Sequence, residues 1–484
     1  MLPSYKIRLT YISLLLFGFA TVNCKKWVSI SPPETSISNA NVYDNDNTAI
    51  AVQTGIYSNM MSPNSLTGGG IIDMSFYPAL SADELTLWPG NNNQLYSAYY
   101  TNLLTNQNTS YADFWNAIYP MIYVTNSAIE GLNASTNLTP AIKQQLLGEA
   151  EFMRSFCYFY LVNLYGDVPL VLTSNYLINA TVARTPQAQV WQQIINDLKS
   201  AQSLLSPQYL DGTLLNSSAG RLRPTKWAAI ALLARAYLYT GQWSNAISEA
   251  DSIINNNSLF SLDTLNGVFL ASSTEAIWQL QPVVLGWNTP DAQIFIIPTT
   301  GVSTQWPVYL STNLLNSFEP GDLRRSDWVD SIAIGANTYF YPYKYKINAY
   351  NASVTEYEMV LRLGEQYLIR AEAEAEMNDL SDAAIDVNTI RTRAQLPNLL
   401  NDIASSQSSL LAAIQHERQV ELFTEWGNRW LDLKRTNTIN AVMGSPGNAY
   451  QNKANGYWNP DWQLYPISLS QLQHDNYLVQ NPGY

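Results

Sequence analysis

From Glu149 to Val171 the chain reads EAEFMRSFCYFYLVNLYGDVPLV, apolar nearly all round a helical period from Phe152 and Phe156 through Tyr160 and Leu164. After Glu149 only Glu151, Arg154, Ser155 and Asn163 interrupt it, so this helix must be enclosed by other elements. Gly166 stands where a left-handed cap belongs, and Pro169 prevents continuation. Helical patterns also run from Asp44 to Met60, Tyr111 to Gly131, Pro140 to Tyr165 and Pro186 to Leu205. Later, Ala234, Ala236, Gly241 and Ala246 match Ala371, Ala373, Asn378 and Ala383 at a constant offset. Small residues near a helix end, a turn residue, then a small residue opening the next helix are what a tetratricopeptide-type hairpin requires. The pattern predicts a mainly α fold.

Two regions break the periodicity. Residues 62–110 are rich in Gly, Pro and Asn, with Gly68-Gly69-Gly70 and Pro89-Gly90, and read as long loops. Residues 260–356 carry short β-prone runs such as Ala276 to Leu280 and Ile294 to Ile297, crowded with Trp and Tyr. The latter reads as a loop-and-short-strand insertion over one face of a helical scaffold. The scaffold itself spans about 44–256 and 357–435 within a single domain at 44–484, and a turn-rich tail runs from 444 to 484.

Composition sharpens this. The 484 residues are 46% hydrophobic and only 13% charged, which excludes wholesale disorder and leaves the surface to neutral polar side chains. A net charge of -13 argues against a nucleic-acid partner, since phosphates need clustered Lys and Arg. Lys6 and Arg8 precede an apolar run from Tyr11 to Val22, too short to span a membrane comfortably, and Cys24 follows at once. This predicts a lipoprotein signal peptide over 1–23, acylation at Cys24 and a tether over 24–43. The other cysteine, Cys157, falls in the enclosed helix and reads as a small buried hydrophobe.

Chemistry-bearing clusters favour structure over catalysis. Arg362, Glu365, Arg370, Glu372 and Glu374, then Glu417, Arg418, Glu421, Arg429, Asp432 and Arg435, alternate in sign as helix-packing ion pairs do. His416 and His474 are the only histidines, and no nucleophile triad or zinc-ligand spacing is present. No catalytic residue, cofactor or metal set is predicted. A glycoside hydrolase needs only two carboxylates, for which Asp73, Asp83 and Glu84 in the first loop region are the candidates.

The segments Glu149–Val171, Leu361–Arg393 and Ile414–Arg435, with the terminal Gln480-Asn481-Pro482-Gly483-Tyr484, resemble hallmark motifs of the SusD/RagB family of Bacteroidetes outer-membrane nutrient-binding lipoproteins. Their order spans the chain from the lipoprotein cysteine to its last residue, as in a chain complete at its C-terminus. The resemblance implies a non-catalytic protein that binds oligosaccharide or polysaccharide at the cell surface and delivers it to a SusC-like TonB-dependent transporter. It also implies lipid anchorage in the outer membrane and a scaffold of degenerate tetratricopeptide-type repeats. A peptide-binding relative on the same scaffold is the alternative. Lys25 and Lys26 depart from the acidic export signal that some relatives carry behind the cysteine.

In such proteins the ligand is held by loops from the regions matching 62–110 and 260–356. Sugar rings offer C–H faces to aromatics and hydroxyls to amides, so the candidates here are Trp88 with Asn91 and Asn92, Trp287 with Asn288, and Trp306 with Tyr309. Each Trp taken singly is as well explained by core packing.

Overall fold

A computed structural model describes residues 42–62, 70–111, 113–444, 453 and 458–484. Cys24, the leader and the tether as far as residue 41 lie outside the described residues, and Tyr43, expected at the end of the tether, is buried in the body. The body from Tyr43 to Tyr484 forms one compact unit.

The early helices are α1 (Asp46–Met60), α2 (Gln94–Thr101), α3 (Phe114–Ala134), α4 (Pro140–Tyr165) and α5 (Gln187–Leu204). The enclosed helix is α4, started by Pro140 in its first turn and ended at Gly166 with φ 75°. From Phe152 to Val162 it is buried on every side, between α3 and α5. Phe156 meets Tyr160, Trp278 and Trp426 edge to face at centroid distances of 5.1, 5.5 and 5.6 Å. Burial pushes the Cys157 thiol far above its ordinary value, so it is an inert core group.

The repeated pattern folds as two helical hairpins, α6 (Lys226–Tyr239) with α7 (Trp243–Ile254) and α8 (Leu363–Glu376) with α9 (Leu380–Arg393). Ala234, Ala236, Ala371 and Ala373 are fully buried, which lets the helix backbones approach closely. Gly241 and Asn378 occupy the turns at φ 68° and 63°, the left-handed conformation those residues tolerate best. Helices α10 (Gln407–Glu421) and α11 (Asn428–Arg435) close this half.

Among the described residues, four two-stranded antiparallel ladders accompany the helices, three of them involving the insertion or its edge. Strand β1 (Leu85–Leu87) pairs with β5 (Val308–Leu310), and β2 (Val168–Pro169) pairs with β3 (Arg184–Thr185). Strand β4 (Ala276–Leu280) pairs with β8 (Glu358–Arg362), every residue of both being buried, and β6 (Val329–Ile334) pairs with β7 (Asn337–Pro342).

Three expectations are corrected. Residues 62–110 are not simply loops: they contain the helix Tyr77–Ser81, strand β1 and helix α2, the last capped by Asn93 Oδ1 accepting from Leu95 and Tyr96. Ile294–Ile297 is not a strand, because Thr289 caps and Pro290 opens a helix over Pro290–Phe295. Several insertion aromatics are core rather than surface, Trp278 and Trp328 being fully buried.

The helical ion pairs do pack the core. Glu421 accepts from Arg362 at 2.6 Å, from Arg324 at 3.1 Å and from Arg393. Burial pushes its carboxyl up, but Arg393, Arg362 and Arg324 outweigh that and hold it well below the ordinary range. The terminal motif docks on the end of α4, where the Asn481 amide donates to the Tyr165 and Tyr465 carbonyls at 3.0 and 2.8 Å.

Candidate functional site

The β1–β5 ladder sets one wall of an open cleft of about 510 Å³. Thr86 stands opposite Tyr309 in the register, so their side chains share a face, and both line the cleft. The ladder is extended by Trp88, whose N–H donates to the Pro307 carbonyl at 2.6 Å. Helix α2 supplies Ser97 and Tyr100, and the short helix Thr312–Ser317 supplies Asn313. Tyr309 is braced edge to face by Tyr339 at 5.1 Å.

Trp88 lies half-buried and flat over the Pro89-Gly90 turn. A Cβ on Gly90 would meet the indole at 2.3 Å, so this turn needs glycine for close approach. Asn91 shapes the turn: its side-chain oxygen accepts from the Asn93 N–H at 3.2 Å and its amide donates to the Asn93 carbonyl at 3.1 Å. The Asn313 side chain makes no hydrogen bond within the described residues and remains available to a ligand.

Among the described residues the cleft lining has no carboxylate, and its only charge is Lys453. Lys453 Nζ donates to the carbonyls of Leu80, at 2.7 Å, and Ala82, and lies 4.8 Å from the centroid of the Tyr100 ring. Burial pulls its ammonium down to about 7, against the upward influence of Asp83 and Glu84. Burial likewise raises the Tyr100 phenol to about 12, so it acts as a neutral donor and acceptor.

Asp73, Asp83 and Glu84 are not surface loop acids, since all three are buried. Asp83 takes a bidentate pair from Arg429 at 2.8 and 2.8 Å. Glu84 accepts from the Thr424 N–H at 3.0 Å. Asp73 accepts from the Gly70 N–H at 3.1 Å.

Of the residues singled out in the sequence, Trp88, Asn91 and Tyr309 come together here. Asn92 is exposed on the same turn but does not line the cleft. Trp306, although next to Pro307, directs its indole N–H to the Gln293 carbonyl at 3.1 Å and lines no part of it. Trp287 packs instead on Tyr350 at 5.5 Å. Asn288 is a buried strut whose side-chain oxygen accepts from Thr355 and Glu356 N–H groups at 3.0 and 3.1 Å. Thr86, Tyr100, Asn313 and Lys453 were not legible as a site; only the Asn93 cap signal and the apolar-polar alternation of Leu85-Thr86-Leu87 pointed toward them.

Larger cavities of about 810 and 700 Å³ lie elsewhere, the first beside the Glu372–Arg435 ion pair and the second beside Tyr57 and Arg223. Neither contains a residue singled out for ligand stacking.

The structure is thus a mainly helical repeat scaffold with an aromatic cleft set by the β1–β5 ladder. The SusD family model matches residues 316–484, and one described as starch-binding associating with outer membrane matches residues 52–238. The chain is 28% identical over 421 residues to SusD-like protein P2 of Formosa agariphila, covering 77% of this chain and 80% of that protein. It is 28% identical over 400 residues to a SusD-like protein of Bacteroides ovatus, covering 71% and 70%. A SusD superfamily structure from Bacteroides vulgatus superposes with a TM-score of 0.76 at 19% identity, over 91% of this chain and 100% of that one. A laminarin binding SusD-like protein superposes at 0.74 with 20% identity, over 91% and 100%. The chain is thus similar to SusD-like proteins over most of its length and shares their fold.

Proposed function

We propose that this chain is a non-catalytic, lipid-anchored glycan-binding protein of the outer membrane that delivers oligosaccharide to a TonB-dependent transporter. The observation that carries the reading is the cleft itself. Trp88, Tyr100 and Tyr309 offer aromatic surface, Asn313 offers an unengaged amide, and the lining holds no carboxylate among the described residues. Stacking plus neutral hydrogen bonding suits a polyhydroxylated, uncharged ligand. Hydrolysis requires two carboxyl groups flanking the scissile bond, and the nearest acids are committed to Arg429 and to the Thr424 N–H. The laminarin-binding description of one structural neighbour and the outer-membrane description of one family model support the same reading.

Calorimetric titration against a glycan array and a peptide panel tests it. Binding of a neutral glycan without release of reducing ends is the expected result. Peptide binding alone, or turnover, contradicts it.

A further inference from the structure

The stretch from Val168 to Ala183 runs without one Asp, Glu, Lys, Arg or His. Such a stretch ordinarily packs inside, yet here its tip is in solvent. Tyr176, Leu177 and Ile178 are 73%, 67% and 53% exposed, on a helical turn that caps nothing. Leu172 and, on α3, Tyr123 extend the patch. Such clustering of large apolar side chains on a surface marks a binding face rather than chance exposure.

The tip is held firmly. Glu130 of α3 accepts from Thr173 Oγ1 at 2.7 Å, from the Ser174 N–H at 2.9 Å and from Ser174 Oγ. Asn126 donates to the Val171 carbonyl at 2.9 Å, and Asn179 ties the turn back to the Thr173 carbonyl at 2.8 Å. This places Leu172 along the same side of α3 as Tyr123, three residues before Asn126.

The same end of α3 is where the body begins. The Tyr43 ring lies against Gly131, where a Cβ would meet it at 2.1 Å, and the Tyr43 carbonyl accepts from Ser135 Oγ at 2.6 Å. Tyr43, at the start of the compact body, therefore lies beside the helix residue that clamps the tip. With an acyl group at Cys24, that is the end covalently leashed to the membrane.

We propose that the Tyr176-Leu177-Ile178 tip inserts into the lipid bilayer interface as a second, non-covalent membrane contact that orients the body. The direction of this inference rests on the lipid-anchor reading above. At a net charge of -13 the chain as a whole is not drawn to an anionic surface, whereas an uncharged apolar tip can enter a bilayer without that attraction. Tyrosine with Leu and Ile is also the composition that settles at the headgroup boundary.

The test uses the full acylated chain on phosphatidylcholine–phosphatidylethanolamine vesicles, with an environment-sensitive dye on Leu177→Cys. A control carries the dye on Leu400→Cys, 68% exposed on the later half, and Cys157 is buried and unreactive. The expected result is a blue shift and quenching by brominated acyl chains at 177 but not at 400. Adding Tyr176→Ser and Ile178→Ser should reduce the quenching roughly fivefold or more, while added salt leaves it unchanged. A chain that floats with vesicles while the dye at 177 stays in water overturns the proposal and leaves the anchor standing. Shielding at 177 that needs another outer-membrane protein overturns it in favour of a protein partner. Quenching at 177 that persists in a chain bearing no acyl group upholds it and shows that the contact does not need the anchor, and failure of the acylated chain to float at all removes both. None of these outcomes depends on glycan binding, which is titrated separately.

Discussion

Tyr309 and Trp88 differ in how much of their chemistry the protein already uses, and that difference sets what each can give a ligand. Tyr309 is braced by Tyr339 yet presents to the cleft, whereas Trp88 rests on Gly90. Replacing either by Ala should weaken glycan binding about tenfold, the scale of one lost stacking contact, with the thermal midpoint barely moved. Gly90→Ala should also weaken binding by displacing the indole, although it adds only a methyl group. Calorimetry on the three variants checks this, and an unchanged affinity in Tyr309→Ala would place the ligand elsewhere. Glu84, buried behind the ladder, carries a pH signature. Burial pushes its carboxyl up to about 8, against the Thr424 N–H that favours the charged form. The fold thus holds this proton more tightly than the unfolded chain does. The stability it contributes is full below about 4.5 and declines as pH rises toward 8. Glu84→Gln keeps the acceptor without the charge, so it should raise the thermal midpoint at pH 8 by roughly 3 °C or more and flatten the decline. Melting curves between pH 5 and 8.5 decide the point.

At the scale of elements, what was legible followed from period and from residues with one permissible conformation. Helix α4 could be read to its ends because Pro140 and Gly166 bracket a continuous apolar run. The hairpin turns could be read because Gly241 and Asn378 both sit at positive φ. Residues 62–110 misled because Gly, Pro and Asn also serve as caps and close-approach positions inside short elements, as Asn93 and Gly90 do. The run Ile294–Ile297 misled because β-branched composition was outweighed by the cap and first-turn proline upstream. Pairing across the ladder, which brings Thr86 to Tyr309 over a long sequence separation, has no local signal at all. Trp306 shows the same limit from the other side: its neighbour Pro307 joins the ladder, but a single hydrogen bond turns the indole away. The ion-pair elements give their own prediction. Glu421→Gln leaves Arg324, Arg362 and Arg393 undercompensated in the core. It should cost about 3–5 kcal/mol in urea unfolding. A loss below about 1 kcal/mol would show that the neighbouring acids Glu417, Glu425 and Glu275 suffice.

Across the whole molecule, a rigid helical frame holds an insertion whose short ladders would be marginal by themselves. The frame fixes β4 and β8 through Trp278, buried against Phe152 and Phe156 at 5.1 and 5.5 Å, and through Arg362. The cleft ladder is fixed in turn by Arg429 on α11, which reaches Asp83 just before β1. Cleft-lining side chains therefore hang from elements whose positions the core dictates, which would suit the proposed capture without large rearrangement. The most direct test is a calorimetric titration of the best glycan from the array, run on the native chain and on Trp88→Ala/Tyr309→Ala, with reducing ends assayed in the same cell. The account predicts one saturable event in the native chain, at least tenfold weaker in the double variant, and no new reducing ends in either. Equal affinity in the two proteins, or accumulating reducing ends, would contradict it.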